Sequence, residues 1–270
     1  MAEQEKEMSF LAHLEELRWH LVRSAGAIIG VAVAIFVLRK YVYEYFLLAH
    51  LQADFVTYKA LCKGFNLIGI DSDFCTIAFN TSLKSLGPTD QLMNALWASA
   101  ILGFIVSFPY ILWEFWRFVS PGLHENEIKK SKGFIFTSSL LFFLGVLFSY
   151  YVILPMSVYF FYYFSVADVV VNDFTLSKYM SLITNTLLGV GIMFELPVVI
   201  YFLSKIGLIT PMFLRKYRRH ALVVVLILSA IITPPDIASQ VIVSIPILIL
   251  YEISIIVSNR IYKKQQNALK

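Results

Sequence analysis

The stretch Leu187-Leu-Gly-Val-Gly-Ile-Met-Phe-Glu195-Leu-Pro197-Val-Val-Ile-Tyr-Phe-Leu203 is apolar but for one carboxylate, and it is long enough to enter a lipid bilayer. A carboxylate at that depth is costly unless it faces protein, water or a polar ligand, so Glu195 reads as an intramembrane polar site. The plainer account is a protonated side chain hydrogen-bonded to a neighbouring helix. Composition extends the reading to the whole chain: of 270 residues, 59% are hydrophobic and 15% charged, a balance that a water-facing surface does not accommodate. Apolar runs Leu21 to Leu38, Ala95 to Trp113, Phe134 to Leu154, Met180 to Leu203, Ala221 to Ile232 and Ala238 to Val257 predict an all-α, polytopic membrane protein with six transmembrane helices.

Two of the six are expected to be short. Between Arg219 and Thr233 the apolar residues reach roughly 18 Å as a helix, against a hydrocarbon core of about 30 Å. Thr233-Pro234-Pro235-Asp236 then breaks the chain, because proline cannot continue a helix and aspartate caps the next one. Pro109, Pro155, Pro197 and Pro246 interrupt other spans, which predicts bent helices forming a concave bundle with Glu195 beside one bend.

Lysine and arginine set the expected orientation. Arg117, Lys129, Lys130 and Lys132 lie between the second and third spans, Lys205, Arg215, Lys216, Arg218 and Arg219 between the fourth and fifth, and Arg260, Lys263, Lys264 and Lys270 in the tail. This bias places both termini in the cytoplasm, with Arg39 and Lys40 outvoted. It also accounts for the net charge of +4 without a nucleic-acid partner. The chain is expected as a single membrane domain, 1–270, with a cytoplasmic amphipathic segment at 1–20, an extracytoplasmic loop at 39–91, cytoplasmic loops at 114–133 and 205–220, and a cytoplasmic tail at 258–270.

In the first segment Phe10, Leu11, Leu14, Leu17 and Leu21 recur at helical spacing, with Glu15, Glu16, Arg18 and His20 on the polar side, so it should lie at the interface before the first span. The long loop holds Cys62 and Cys75, either a disulfide or two free thiols. Its portion Tyr41 to Leu51 is expected to continue as helix and form a lid.

Enzyme chemistry finds no support. His124-Glu-Asn-Glu127-Ile128 opens like a zinc-protease helix but has isoleucine where the second histidine ligand is required. His13 and His20, two helical turns apart, lack a third ligand and read as interfacial residues. No catalytic residue, metal site or cofactor is expected.

Several motifs together resemble one family. His13-Leu-Glu-Glu-Leu-Arg18, Phe108-Pro109, Trp116-Arg-Phe-Val-Ser-Pro-Gly-Leu123 with Glu127, Phe194-Glu195-Leu-Pro197, and Thr233-Pro-Pro-Asp-Ile-Ala-Ser-Gln240 are similar to the TatC component of the twin-arginine protein translocase, in order and over nearly the full chain. The resemblance implies a signal-peptide receptor and core subunit for export of folded proteins across the bacterial cytoplasmic (inner) membrane, driven by the proton motive force. It assigns arginine-pair recognition to Glu16, Arg18, Phe118 and Glu127, the concave face to Glu195, and docking of small single-span subunits of the TatA and TatB type to the short fifth span with Thr233 and Gln240. A multi-copy complex in the lipid bilayer, without cofactor, is implied. Paired guanidinium groups are well met by carboxylates near a membrane surface. Departures are the longer first loop with its cysteines, Trp19 at a commonly basic position, and His50 where proline is often found. The competing reading is a proton-coupled small-molecule transporter, with Glu195 and Asp236 as titrating groups.

Overall fold

The computed structural model describes residues 10–67, 69, 75, 77, 79, 82–119, 131–167, 172–232 and 237–268. In a bilayer the backbone must satisfy its own hydrogen bonds, so apolar runs become helices. Among the described residues β-pairing is confined to an isolated bridge between Lys84 and Thr175. Among the described residues, five helical stretches are long and apolar enough to cross a membrane: Leu14–Val37, Asp90–Val119, Gly133–Tyr163, Leu176–Lys205 and Gln240–Asn267. The remaining expected span is α10, Arg218–Ile232, whose 15 residues reach about 22 Å. It is about one turn longer than its apolar run implies and still short of the hydrocarbon core.

The chain divides into two compact units, Met1–Arg39 with Ala95–Ser139, and Lys40–Asn94 with Leu140–Lys270. In the first, α1 (Phe10–Val37) packs on α4 (Asp90–Val119). The sequence separates an interfacial segment, 1–20, from the first span, whereas from Phe10 onward the helix is continuous. None of Arg18, Trp19 and His20 breaks a helix. The buried residues of α4 include the small Ala95, Ser99, Gly103 and Ser107, four apart on one stripe, beside the larger Ile101, Leu102, Ile105 and Phe108; small residues at helical spacing let two backbones approach. Gly103 is the closest point, where an added Cβ would meet the Ile28 carbonyl oxygen and the Ala32 Cβ at 2.9 Å each. Four residues on, Ser107 Oγ donates to the Ala27 carbonyl at 3.3 Å. Helix α4 also outlasts its apolar run, so Glu114, Trp116 and Phe118, expected in a loop, stand on its last turns.

The second unit begins with α2 (Arg39–Val42), a π turn (Tyr43–Leu47), a 3-10 turn (Ala49–Leu51) and α3 (Val56–Leu67). The expected helix over Tyr41 to Leu51 is therefore three tighter and wider pieces. Helix α5 (Ser131–Phe148) starts in the first unit; within the second it widens into a π turn at Ser149–Ile153 before α6 (Leu154–Tyr163). Pro155 explains the next contacts. It has no N–H, so the carbonyls of Tyr150 and Tyr151, its partners in π and α register, are left to others. His50 Nε2–H donates to Tyr150 O at 2.9 Å and Thr57 Oγ1 to Tyr151 O at 2.5 Å. The Tyr58 hydroxyl shares its proton between the carbonyls of His50 and Pro155, at 3.1 and 3.0 Å. The long loop is thus fastened by the backbone groups that the proline frees. Cys62 and Cys75 are joined in a disulfide, with Cα atoms 5.0 Å apart.

Helices α7 (Leu176–Met193) and α8 (Leu196–Lys205) divide the fourth apolar run where Pro197 stands at the start of α8. After α9 (Pro211–Lys216) and α10, the last helix α11 runs Ile237–Ala268, carrying the basic tail residues Arg260, Lys263 and Lys264 on the same helix as the span. Ile153, Val190, Val225, Val243 and Ile247 form one buried cluster, and Ile200, Leu214, Tyr251 and Ile255 another. At one end of α10, Arg218 pairs with Glu252 of α11 at 2.6 Å.

Candidate functional site

Where α1 and α4 pass each other, one carboxylate is sealed inside the protein. Glu114 is 1% exposed and His20 7%. A carboxylate only accepts, so His20 carries its proton on Nδ1 and donates to Glu114 Oε2 at 2.5 Å. The other oxygen receives the Tyr110 hydroxyl at 3.0 Å and Arg117 Nη1 at 3.5 Å. Arg23 Nη1 lies 3.9 Å from Oε2. Two half-exposed guanidinium groups thus face a single buried carboxylate, and Arg117 also lies 4.9 Å over the Trp113 ring. One negative charge against two positive ones leaves the cluster with a net positive charge.

The helical period ties this cluster to the residues that the family resemblance singles out. Glu16 is one turn before His20 on α1, and Phe118 one turn after Glu114 on α4. The helices run antiparallel, and one register joins Gly103 to Ala32, Ser107 to Ala27 and Glu114 to His20. Continued by one turn in both helices, the register brings Glu16 level with Phe118. The Phe118 ring already meets the His20 ring edge-on at 6.2 Å. Glu16 is half-buried, whereas Arg18 is exposed, 3.5 Å from Glu15 and 5.5 Å over the Trp19 ring. Trp116 turns the other way and packs on Phe134 at 5.0 Å. Glu127, with Glu125, lies outside the described residues.

His20 corrects the sequence reading, which puts it on an interfacial polar side. Helix α4 covers that side and brings a carboxylate to the same level. Glu114 was missed altogether, although a glutamate at the end of an apolar run, with Tyr110 four residues before and Arg117 three after, is a pattern of a satisfied buried acid.

In the second unit Glu195 is half-buried at the start of α8, its backbone carbonyl accepting from Val198 and Val199 at 2.9 and 3.0 Å. Beside it Phe194 packs against Gly145 so closely that a Cβ there would sit 2.8 Å from the ring. Gln240 Nε2 donates to the Leu226 carbonyl of α10 at 2.9 Å, tying the two helices of the hairpin. Thr233 and Asp236 lie outside the described residues. His50 is fully buried, and burial holds its imidazole down at about 4 against the usual 6.5, although the Tyr150 and Leu47 carbonyls favour its protonated form. Among the described residues no group of three or more histidines, cysteines or carboxylates is placed to hold a metal ion.

The chain's matches agree with these motifs. Residues 12–246 match the family model described as Sec-independent protein translocase protein (TatC). The chain is 40% identical over 266 residues to the Sec-independent protein translocase protein TatC of Blattabacterium sp. subsp. Periplaneta americana (strain BPLAN), covering 98% of this chain and 100% of that one. It is 35% identical to protein TatCy of Bacillus subtilis (strain 168), covering 97% and 93%. Among solved structures, the crystal structure of a twin arginine translocase receptor, TatC, superposes with a TM-score of 0.68 at 32% identity, over 91% of this chain and 97% of that one.

Proposed function

We propose, because the chain belongs to the TatC family of Sec-independent protein translocase proteins, that the end of α1 and α4 around Glu16 and Phe118 is the receptor surface for a twin-arginine signal peptide. The protein is a polytopic membrane component of a protein translocase and not an enzyme. The solved relative is titled a twin arginine translocase receptor, and the same role here supplies a use for each residue. Glu16 and Glu127 accept paired hydrogen bonds from the two guanidinium groups, Phe118 offers an aromatic face, and Arg18 with Glu15 borders the surface. Glu195 contacts the apolar part of the inserted peptide or a partner helix. The hairpin of α10 and α11, with Thr233 and Gln240, docks small single-span subunits of the TatA and TatB type in a multi-copy complex. The basic loops orient both termini toward the cytoplasm of a bacterial inner membrane, and the proton motive force supplies the energy.

The observation that carries the reading is the buried His20–Glu114 pair. It sets in one register the two helices on which Glu16 and Phe118 stand, so residues far apart in sequence present one surface. The test is photocrosslinking of a twin-arginine signal peptide to the full chain in membranes. Each charge-assisted hydrogen bond lost is worth roughly 1.5 to 3 kcal/mol if desolvated. The double variant Glu16→Lys with Glu127→Lys, which adds repulsion, should therefore lose the crosslink. Undiminished crosslinking in that variant removes both residues from the site.

A further inference from the structure

A cavity of about 580 Å³ opens in the second unit, beyond the residues considered so far. Its polar wall is one face of α7, where Lys178, Ser181 and Asn185 follow at helical spacing and are all exposed. Its apolar wall is Phe161 of α6 with Ile231 and Ile232 at the tip of α10. Asn185 lies seven residues into the membrane-spanning helix from Lys178, about 10 Å, and its amide donates to Ser181 Oγ at 3.0 Å. Polar side chains exposed along a transmembrane helix are costly unless something polar reaches them.

The charges of the cavity do not balance. Asp173 on its rim is taken by Lys84. Lys178 pairs with no carboxylate among the described residues, so one ammonium group is left facing the space. Asn172 is committed elsewhere, its amide donating to the carbonyls of Tyr162 and Phe164 at 3.2 and 2.6 Å. An occupant must therefore bring an anion to Lys178, hydrogen-bond acceptors as far down as Asn185, and an apolar portion to lie against Phe161 and Ile231. The volume falls within the roughly 300 to 1,000 Å³ usual for small-molecule sites.

From this arrangement we infer that the cavity holds one anionic phospholipid, its phosphate on Lys178, its glycerol region beside Ser181 and Asn185, and its chains on the apolar wall. The short α10 supplies the reason that a headgroup comes to this depth. Its 15 residues fall several ångströms short of a full span, and a short span thins the bilayer around it. A phosphate drawn inward there meets Lys178 instead of hydrocarbon. The inference uses none of the proposed peptide-recognition residues; only its placement in the outer leaflet rests on the orientation proposed above.

Native mass spectrometry of the full chain in neutral detergent tests it, with short-chain phosphatidylglycerol, phosphatidylcholine of the same chains, and inorganic phosphate as probes. One phosphatidylglycerol should be retained at least fivefold better than phosphatidylcholine. Lys178→Glu should abolish that preference, and Ser181→Trp, which fills the cavity from an exposed position, should reduce retention of the tight lipid severalfold. Lys216→Glu, far along the chain in α9, should leave both unchanged. A preference that survives Lys178→Glu overturns the site. Inorganic phosphate displacing the lipid at equal concentration overturns the lipid as its ligand. Undiminished signal-peptide crosslinking in the Glu16 and Glu127 variants would overturn only the receptor reading, so the two can fail separately.

Discussion

Replacing Glu114 by leucine probes the joint on which the receptor surface depends. The carboxylate accepts from His20 and Tyr110 at 2.5 and 3.0 Å in a site that is 1% exposed. Each of these bonds to a charged acceptor is worth about 1.5–3 kcal/mol. Leucine removes both and leaves the His20 N–H buried without an acceptor, which costs a further 1–3 kcal/mol. The contacts with Arg23 and Arg117 add little, because both guanidinium groups are half-exposed and exposed pairs contribute about 0–1 kcal/mol. Relaxation offsets part of the loss, so the expected destabilisation is about 3–5 kcal/mol, as for other broken buried pairs. Glu114→Gln retains an acceptor and should cost less than half as much. The double variant His20→Leu with Glu114→Leu should cost less than the two single variants combined, since two apolar side chains replace the pair. Denaturant unfolding in detergent gives the energies, and signal-peptide photocrosslinking gives the functional readout: glutamine should keep the crosslink and leucine should lose it. A loss under about 1 kcal/mol for leucine, or single costs that simply add, would refute the pairing as the joint.

Three further outcomes follow from other parts of the molecule. The unfolded chain protonates His50 near 6.5 and the folded one only near 4, so stability is full above about pH 6.5 and falls, by about 3 kcal/mol in all, as the pH drops through that window; thermal melts from pH 7.5 to 4 should show this slope, and it should flatten in His50→Gln. At the α1–α4 crossing Gly103→Leu would drive a side chain into the Ile28 carbonyl and cost about 1–3 kcal/mol, whereas Gly30→Leu, with nothing within 4 Å, should leave the melt unchanged; equal effects would deny the close approach. Glu195→Gln should retain most export and Glu195→Ala much less if the residue is a polar contact, because an amide still hydrogen-bonds; export by the glutamine variant no better than by alanine, at equal protein levels, would make Glu195 a proton carrier instead.

The spans were legible because a bilayer allows few answers. An apolar run of sufficient length must be a helix, and Pro197 and the short run before Thr233 announce a break and a stunted helix by chemistry that neighbours cannot override. The loop's anchoring was half legible. Pro155 signals freed carbonyls, but nothing in the sequence says that His50 and Thr57, about a hundred residues earlier, will take them. The His20–Glu114 pair was least legible: His20 reads as interfacial, and the spacing of Tyr110, Glu114 and Arg117 marks a satisfied acid without naming His20 as its partner. What turns them into a buried pair is depth, and depth comes from where two helices touch. From the contact of Gly103 with Ala32, eleven residues forward along α4 reach Glu114 and twelve back along α1 reach His20. At 1.5 Å per residue these are about 16 and 18 Å, level to within the reach of a side chain. A stripe of small residues therefore does more than permit close packing. By fixing the register at one end of an antiparallel pair, it determines which polar residues meet at the other, and one turn beyond them it brings Glu16 opposite Phe118. On this argument the small face of α4 and the proposed recognition surface form one device, and a substitution at Gly103 should be felt at the peptide even though it lies several helical turns away.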